Sequence, residues 1–243
     1  MDYRYLGRSA LKVSPLCLGT MMFGDATDEP TSARIIDKAR DQGINFIDTA
    51  DGYAAGRSEE YVGRSIKDHR DHWVLATKFG QPNGPLPNNR GQSRKWIIEY
   101  VENSLRRLGT DYIDILYFHR ADSNAPFEEG LRAIEDLSRQ GKLRYYGVSN
   151  FKGWQIAEIC RAADAINVAR PVVSQPLYNM VDRLSEVEQL PSAGHYGLGV
   201  VPYSPLARGV LSGKYAKDAP PPEGSRLARG DVRIKQTEWR GES

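Results

Sequence analysis

Cysteine is scarce. Cys17 and Cys160 are the only two, too few for a disulfide framework, and each lies in an apolar pattern where a small buried thiol is the ordinary reading. This excludes a disulfide-stapled scaffold and fits a reducing cytoplasm. Charge of one sign is equally scarce: 33 Lys and Arg stand against 31 Asp and Glu, a formal charge of +2. With no basic block and no acidic tail, nucleic acid is not indicated as a partner. No apolar run approaches the length needed to cross a bilayer, and Met1 to Tyr5 is not followed by the apolar stretch of a signal, so no membrane anchor is expected. Histidine and cysteine never fall at metal-ligand spacing, and no Gly-rich phosphate loop follows a predicted strand. No Gly-x-Ser-x-Gly elbow occurs, although composition alone leaves a Ser-His-Asp site open.

What is present is repetition. The 243 residues suffice for one large domain, taken here as 1–243. From residue 16 onward, short apolar runs alternate with longer segments of helical period, the pattern of βα units and a parallel sheet. Strands are predicted at Leu16–Thr20, Asn45–Asp48, Val74–Lys78, Ile113–His119, Leu143–Ser149, Val172–Gln175 and Leu198–Tyr203. Helices are predicted at Thr31–Gln42, Glu59–Lys67, Ser93–Leu108, Pro126–Arg139, Gly153–Ala165 and Glu186–Gly194. The clearest is Ser93–Leu108, where Trp96, Ile97, Tyr100, Val101, Leu105 and Leu108 share a face between a Ser cap and Gly109. Tyr3–Leu6 and Lys12–Ser14 suit a small hairpin outside the repeat, placed to plug one end of a barrel. Two stretches have no period: 80–92, rich in Gly, Pro and Asn, reads as a long loop over a site, and 216–243 reads as a loop or disordered tail.

In a parallel barrel the active site gathers at the C-terminal ends of the strands. Six successive predicted strands end in polar groups: Asp48 with Tyr53 beyond it, Lys78, His119, Ser149-Asn150, Gln175 and Tyr203-Ser204. Taken singly each has a bland reading, as a turn cap, a surface charge, a core histidine or a packing aromatic. Together they do not. A lysine directly after Val74-Leu75-Ala76 is expected to be buried and so to need a carboxylate such as Asp48. A phenol is a weak acid near neutral pH unless nearby positive charge eases departure of its proton, and Lys78 would supply that charge to Tyr53. His119 beside the phenol would orient a substrate carbonyl. None of these roles calls for a metal.

These residues and their neighbours resemble the aldo-keto reductase family over about Leu6 to Tyr215. The motifs that carry the resemblance are Leu18-Gly19-Thr20-Met21-Met22-Phe23-Gly24, Asn45 through Tyr53, Ala76-Thr77-Lys78, Asp111-Tyr112-Ile113-Asp114 leading to His119, Gly147 through Phe151, and Val201 through Leu206 with Gly209 after it. The resemblance implies a (β/α)8 barrel and hydride transfer from the nicotinamide of NADPH to an aldehyde or ketone. It also implies Tyr53 as acid, Lys78 and Asp48 as its electrostatic partners and His119 as orienter or proton relay. By the same resemblance Thr20, Met21 and Asp48 lie on the cofactor side of the site. Ser149, Asn150 and Gln175 would bond the nicotinamide carboxamide, Tyr203 would stack on its ring, and Ser204, Leu206, Gly209 and Lys214 would line the pyrophosphate path. The Ser204-Pro205-Leu206-Ala207-Arg208-Gly209 version is similar to the branch that holds aryl-alcohol dehydrogenase-like enzymes and potassium-channel β subunits.

Full members of the family continue through a further helix, an eighth strand and a segment that grips the adenosine 2′-phosphate, whereas this sequence stops at Ser243. The expectation is therefore a seven-stranded, incomplete barrel whose two open edges invite self-association and whose preference for NADPH over NADH is weakened. Two alternatives to a working reductase follow from it: a non-catalytic, cofactor-binding or regulatory subunit, and an inactive remnant. The substrate would be read by 23–29, 80–92 and 121–125.

Overall fold

The computed structural model describes residues 1–216, 219–232 and 234. It opens with an antiparallel hairpin, β1 (Arg4–Tyr5) and β2 (Lys12–Val13). Seven parallel strands follow: β3 (Leu18–Gly19), β4 (Phe46–Asp48), β5 (Val74–Phe79), β6 (Ile113–Phe118), β7 (Leu143–Ser149), β8 (Val173–Gln175) and β9 (Gly199–Val200). Their order in the sheet is their order in the chain. Helices α1 (Glu29–Asp41), α2 (Arg57–Ile66), α3 (Arg94–Leu108), α4 (Phe127–Arg139), α5 (Gly153–Ala165) and α6 (Gln189–Tyr196) connect them. Among the described residues this is the open, seven-stranded (β/α) barrel that the repeat and the family resemblance lead one to expect, with β3 and β9 at the ends of the sheet.

Strands with helices on one side and a barrel interior on the other are buried on both faces, which is why they read as apolar runs. In β5, Leu75 and Phe79 pack outward with the helices, while Val74 and Ala76 point inward with Phe46, Ile115, Tyr117 and Val173. The period of two carries Lys78 to the interior and Thr77 to the helix side. Leu6 and Val13 of the hairpin join the inner cluster, so the hairpin fills the end of the interior opposite the polar strand ends. Close approach is enforced by glycine at two places. A Cβ on Gly147 of β7 would lie 2.5 Å from Val173 Cγ1, and one on Gly63 of α2 would lie 2.3 Å from the Leu108 carbonyl of α3.

Several boundaries differ from those expected, for local reasons. α1 starts before Thr31 because Asp28 caps it, accepting the Thr31 N–H at 2.9 Å, with Pro30 in the first turn where its missing N–H costs nothing. α6 begins at Gln189 rather than Glu186, since Leu184–Glu186 forms a separate 3₁₀ turn. β8 and β9 are short because Pro176 and Pro202 cannot donate to a ladder. Tyr203 rejoins the sheet only through a bridge to Leu177. Of the tail 216–243, residues 217–218, 233 and 235–243 lie outside the described residues, while Ser225 and Ile234 are buried.

Candidate active site

Register sets the site. Gly19 pairs with Asp48, Asp48 with Ala76, Lys78 with Tyr117, and Ser149 with Gln175, so the polar strand ends converge at one end of the sheet. Lys78 has a fully buried side chain and forms an ion pair with Asp48. Its ammonium also donates to the Thr49 carbonyl at 2.8 Å and to the Tyr53 hydroxyl at 3.3 Å. Burial works to discharge Lys78, but the Asp48 carboxylate and Tyr53 more than offset it and hold the amine well above its ordinary pKa. The lysine therefore keeps its charge beside the phenol.

Tyr53 opens a 3₁₀ turn, Tyr53–Gly56, in which Ala54 and Ala55 have φ of 49° and 56°. Left-handed alanines are costly, and such strain persists only where the surroundings over-determine it. The Tyr53 and His119 rings stand edge to face, 6.2 Å between centroids at 85°. Both are only partly buried, and the phenol and imidazole together border the accessible side of the cluster.

Ser149, Asn150, Gln175 and Tyr203 form a second group that is bonded to the first. Gln175 donates to Asp48 at 3.1 Å, so its amide N–H serves the carboxylate and its carbonyl is the end left for a carboxamide. Asn150, at φ 58°, donates to the His119 carbonyl at 2.9 Å and to Ser149 Oγ at 3.0 Å, and accepts from the Tyr203 hydroxyl at 2.8 Å. Burial raises the Tyr203 phenol pKa, opposed by Arg208 and Arg120 and reinforced by Asp182 and Tyr53. Arg120 and Arg208 thus bring positive charge to the Tyr203 side of the site.

The loop after β9 makes a third group. Ser204, Ala207, Arg208 and Gly209 have φ of 58°, 47°, 54° and 100°, and the loop closes on itself, the Ala207 N–H donating to the Ser204 carbonyl at 2.9 Å and the Gly209 N–H to the Leu206 carbonyl at 2.8 Å. Lys214 lies against Gly209, where a Cβ would sit 2.9 Å from the ammonium. Leu206 is exposed. The Lys214 ammonium and the Ser204 hydroxyl suit a pyrophosphate, and the polar ends of β7 and β8 suit an amide, so the residues present fit a nicotinamide dinucleotide. Thr20 and Met21 belong to a different setting. Thr20 is buried, its hydroxyl donating to the Asp48 carbonyl at 3.0 Å and bonded to Ser58 Oγ at 2.9 Å, whereas Met21 is half-buried.

A further set of polar residues escaped the sequence reading. On the helix side of β5, Glu59 of α2 is fully buried and accepts from the Thr77 hydroxyl and from Arg107 Nε, both at 2.6 Å. The Tyr100 hydroxyl of α3 donates to the Lys78 carbonyl at 2.6 Å. Asp51, also fully buried, accepts the Gly52 N–H at 2.6 Å and Asn83 Nδ2 at 2.8 Å. Burial and the neighbouring Glu59 push its carboxyl up to about 7, against Asn83, the Gly52 amide and Arg107. The one signal available was the placing of Asp51 and Thr77 within the quoted motifs. Among the described residues no group of three or more His, Cys, Asp or Glu is placed to hold a metal ion, and no helix is long and apolar enough to cross a membrane.

A parallel α/β half-barrel with its polar groups at the strand ends is the architecture of a (β/α)-barrel enzyme. The chain belongs to the aldo/keto reductase family, whose model matches residues 15–238. Members of that family are generally NAD(P)H-dependent oxidoreductases of small carbonyl compounds. Among its relatives is a probable voltage-gated potassium channel subunit beta of Arabidopsis thaliana, 43% identical over 233 residues, or 94% of this chain and 70% of the relative. The uncharacterized oxidoreductase YrpG of Bacillus subtilis is 42% identical over 228 residues, covering 89% of this chain and 70% of its own length. A putative channel beta subunit of Schizosaccharomyces pombe is 40% identical over 235 residues, 94% of this chain and 68% of its own. The family and the barrel type expected from the motifs are thus those found.

Proposed function

We propose that the chain reduces an aldehyde or ketone to an alcohol with NADPH, Tyr53 serving as general acid. The observation that carries this reading is the buried Lys78 ammonium, paired with Asp48 and bonded to the Tyr53 hydroxyl at 3.3 Å. Bound NADPH would supply hydride to the carbonyl carbon. The chain's own residues handle the rest. As negative charge develops on the carbonyl oxygen, the Tyr53 O–H donates to it, and the retained charge of Lys78 stabilises the phenolate left behind. Asp48 and the Thr49 carbonyl fix the ammonium, and His119 orients the substrate oxygen from the other side. Ser149, Asn150 and Gln175 hold the carboxamide, Tyr203 lies against the nicotinamide ring, and Ser204, Leu206, Gly209 and Lys214 follow the pyrophosphate.

The two free thiols, Cys17 and Cys160, accord with a cytoplasmic setting. Pairing of the β3 and β9 edges between copies belongs to the same reading and is checked by sedimentation. The first experiment is titration of NADPH and NADH against tryptophan fluorescence, followed by a carbonyl panel. Saturable binding with turnover that Tyr53→Phe abolishes is the expected result, and undiminished turnover in Tyr53→Phe sinks the assignment of the acid. A second reading, a cofactor-binding subunit without turnover, is favoured by the relatives named as channel subunits. Tight NADPH binding with no turnover across the panel would select it.

A further inference from the structure

The segment 80–92 leaves β5 two residues beyond Lys78 and returns to the start of α3. It is folded on itself: Asn83 N–H donates to the Asn89 carbonyl at 2.8 Å, Asn89 N–H to the Leu86 carbonyl at 3.0 Å, and Leu86 N–H to Asn89 Oδ1 at 3.2 Å. Its base is closed by the Gly91 N–H on the Gly80 carbonyl at 3.1 Å, and Gln92 beyond it donates to the Asp122 and Ala125 carbonyls, each at 3.1 Å. Among the described residues, one hydrogen bond joins 81–90 to the rest of the molecule, from Asn83 Nδ2 to Asp51 Oδ2 at 2.8 Å.

The acceptor is not an incidental surface group. Asp51 is fully buried and two residues ahead of Tyr53, and its other oxygen holds the Gly52 N–H at 2.6 Å, inside the turn that presents the phenol. Arg107 faces the same region but is committed to Glu59 at 2.6 Å and to Ser104 at 3.2 Å, and Tyr100 donates to the Lys78 carbonyl at 2.6 Å. Asn83 is therefore the side chain that supplies Asp51 with a donor. A hydrogen bond to a carboxylate is about twice as strong as one between neutral groups. Here it connects the strand extension after Lys78 to the turn that carries Tyr53.

We propose that Asn83 is a positioning residue: by supplying Asp51 with a donor it ties the segment 80–92 to the turn that carries Tyr53 and fixes the phenol relative to Lys78. The proposal rests on the reductase reading of the same site. It assigns a role in presenting the phenol, felt in kcat rather than in KM for the carbonyl, and leaves the pyrophosphate loop after β9 unaffected.

The test uses Asn83→Ala, Asn83→Asp, and the reciprocal pair Asp51→Asn with Asn83→Asp, in the full chain. In Asn83→Asp two carboxylates face one another. In the reciprocal pair an amide again donates to a carboxylate across the same gap. Trypsin cleavage after the exposed Arg90 reports release of the segment without cofactor or turnover. About tenfold faster cleavage is expected in both single variants, with the reciprocal pair within about twofold of the unaltered chain. The kcat should fall about tenfold in the single variants and recover in the pair, with KM for the carbonyl and NADPH affinity unchanged throughout. Cleavage that does not change in the single variants, or a pair that behaves like Asn83→Asp, overturns the tie. Faster cleavage with unaltered kcat overturns the positioning role. Lack of turnover in the unaltered chain sinks the reductase reading and the positioning role with it, while the cleavage series still reports whether the tie exists.

Discussion

Replacing Asp51 with an asparagine should stabilise the protein at alkaline pH, an unusual result for a fully buried polar residue. The fold pushes the Asp51 carboxyl from an ordinary 3.8 up to about 7, chiefly through burial and then through Glu59. Because the folded state holds this proton more tightly than the unfolded chain, stability falls as pH rises from about 4 to about 7 and stays reduced above that. Three units at about 1.4 kcal/mol each give about 4 kcal/mol of destabilisation at pH 8 from ionising this one buried group. The amide introduced by Asp51→Asn never ionises. Its carbonyl can keep the Gly52 N–H and its N–H can donate to a turned Asn83 side chain, reproducing the neutral bonds of the protonated carboxyl to within about 1 kcal/mol. The balance is a gain of about 3 kcal/mol at pH 8 that shrinks steadily below pH 7 and reverses near pH 4. Urea unfolding of both proteins at half-unit pH steps from about 4 to about 8 measures the difference directly. A constant difference across that range would refute the reasoning, because it would mean that Asp51 titrates alike in the folded and unfolded chain.

Other expectations follow from the same geometry. Tyr53→Phe should lower turnover by about 10²–10⁴-fold with little change in NADPH affinity, measured by steady-state kinetics and fluorescence titration. Lys78→Met leaves the Asp48 charge buried without its partner and should cost about 3–5 kcal/mol in urea unfolding, besides removing turnover. Gly63→Ala drives a methyl group to 2.3 Å from the Leu108 carbonyl and should lower stability by about 1–3 kcal/mol, seen as a reduced urea midpoint at unchanged m-value. Gln175→Leu removes both the bond to Asp48 and the proposed carboxamide acceptor, so NADPH should bind about tenfold more weakly by fluorescence titration.

The parts of this molecule that the sequence made legible are those in which a short-range pattern leaves no choice. Strands buried on both faces must be apolar runs, so a lysine ending one of them could only be buried, and a buried lysine requires a carboxylate. Asp48 and Lys78 were legible on that ground alone, and the geometry brings them into an ion pair. The buried polar layer on the other side of β5 was not. Glu59 and Arg107 are 48 residues apart, and Asp51 and Asn83 are 32 apart. Whether a Glu on α2 faces solvent or a Thr on β5 depends on how α2 packs on α3, and no local period encodes that. Nor could the left-handed Ala54 and Ala55 be foreseen, since alanine carries no preference for positive φ and the turn is imposed by its neighbours.

Gln175 shows where reading residues one at a time falls short even at the site itself. The family resemblance implies a bond from it to the nicotinamide carboxamide, yet the amide nitrogen is engaged with Asp48 at 3.1 Å, and Asp48 in turn holds Lys78. A single side chain thus touches the carboxylate that pairs with Lys78 with one end and, on the proposed reading, would offer the other to the cofactor. On that reading, a shift of a bound carboxamide would act through it on the carboxylate that holds the Lys78 charge beside Tyr53. The candidate site is therefore one bonded unit running from the end of β8 to the turn after β4. The residues that fasten that turn, Asp51 and Asn83, bear on the chemistry although neither touches Lys78.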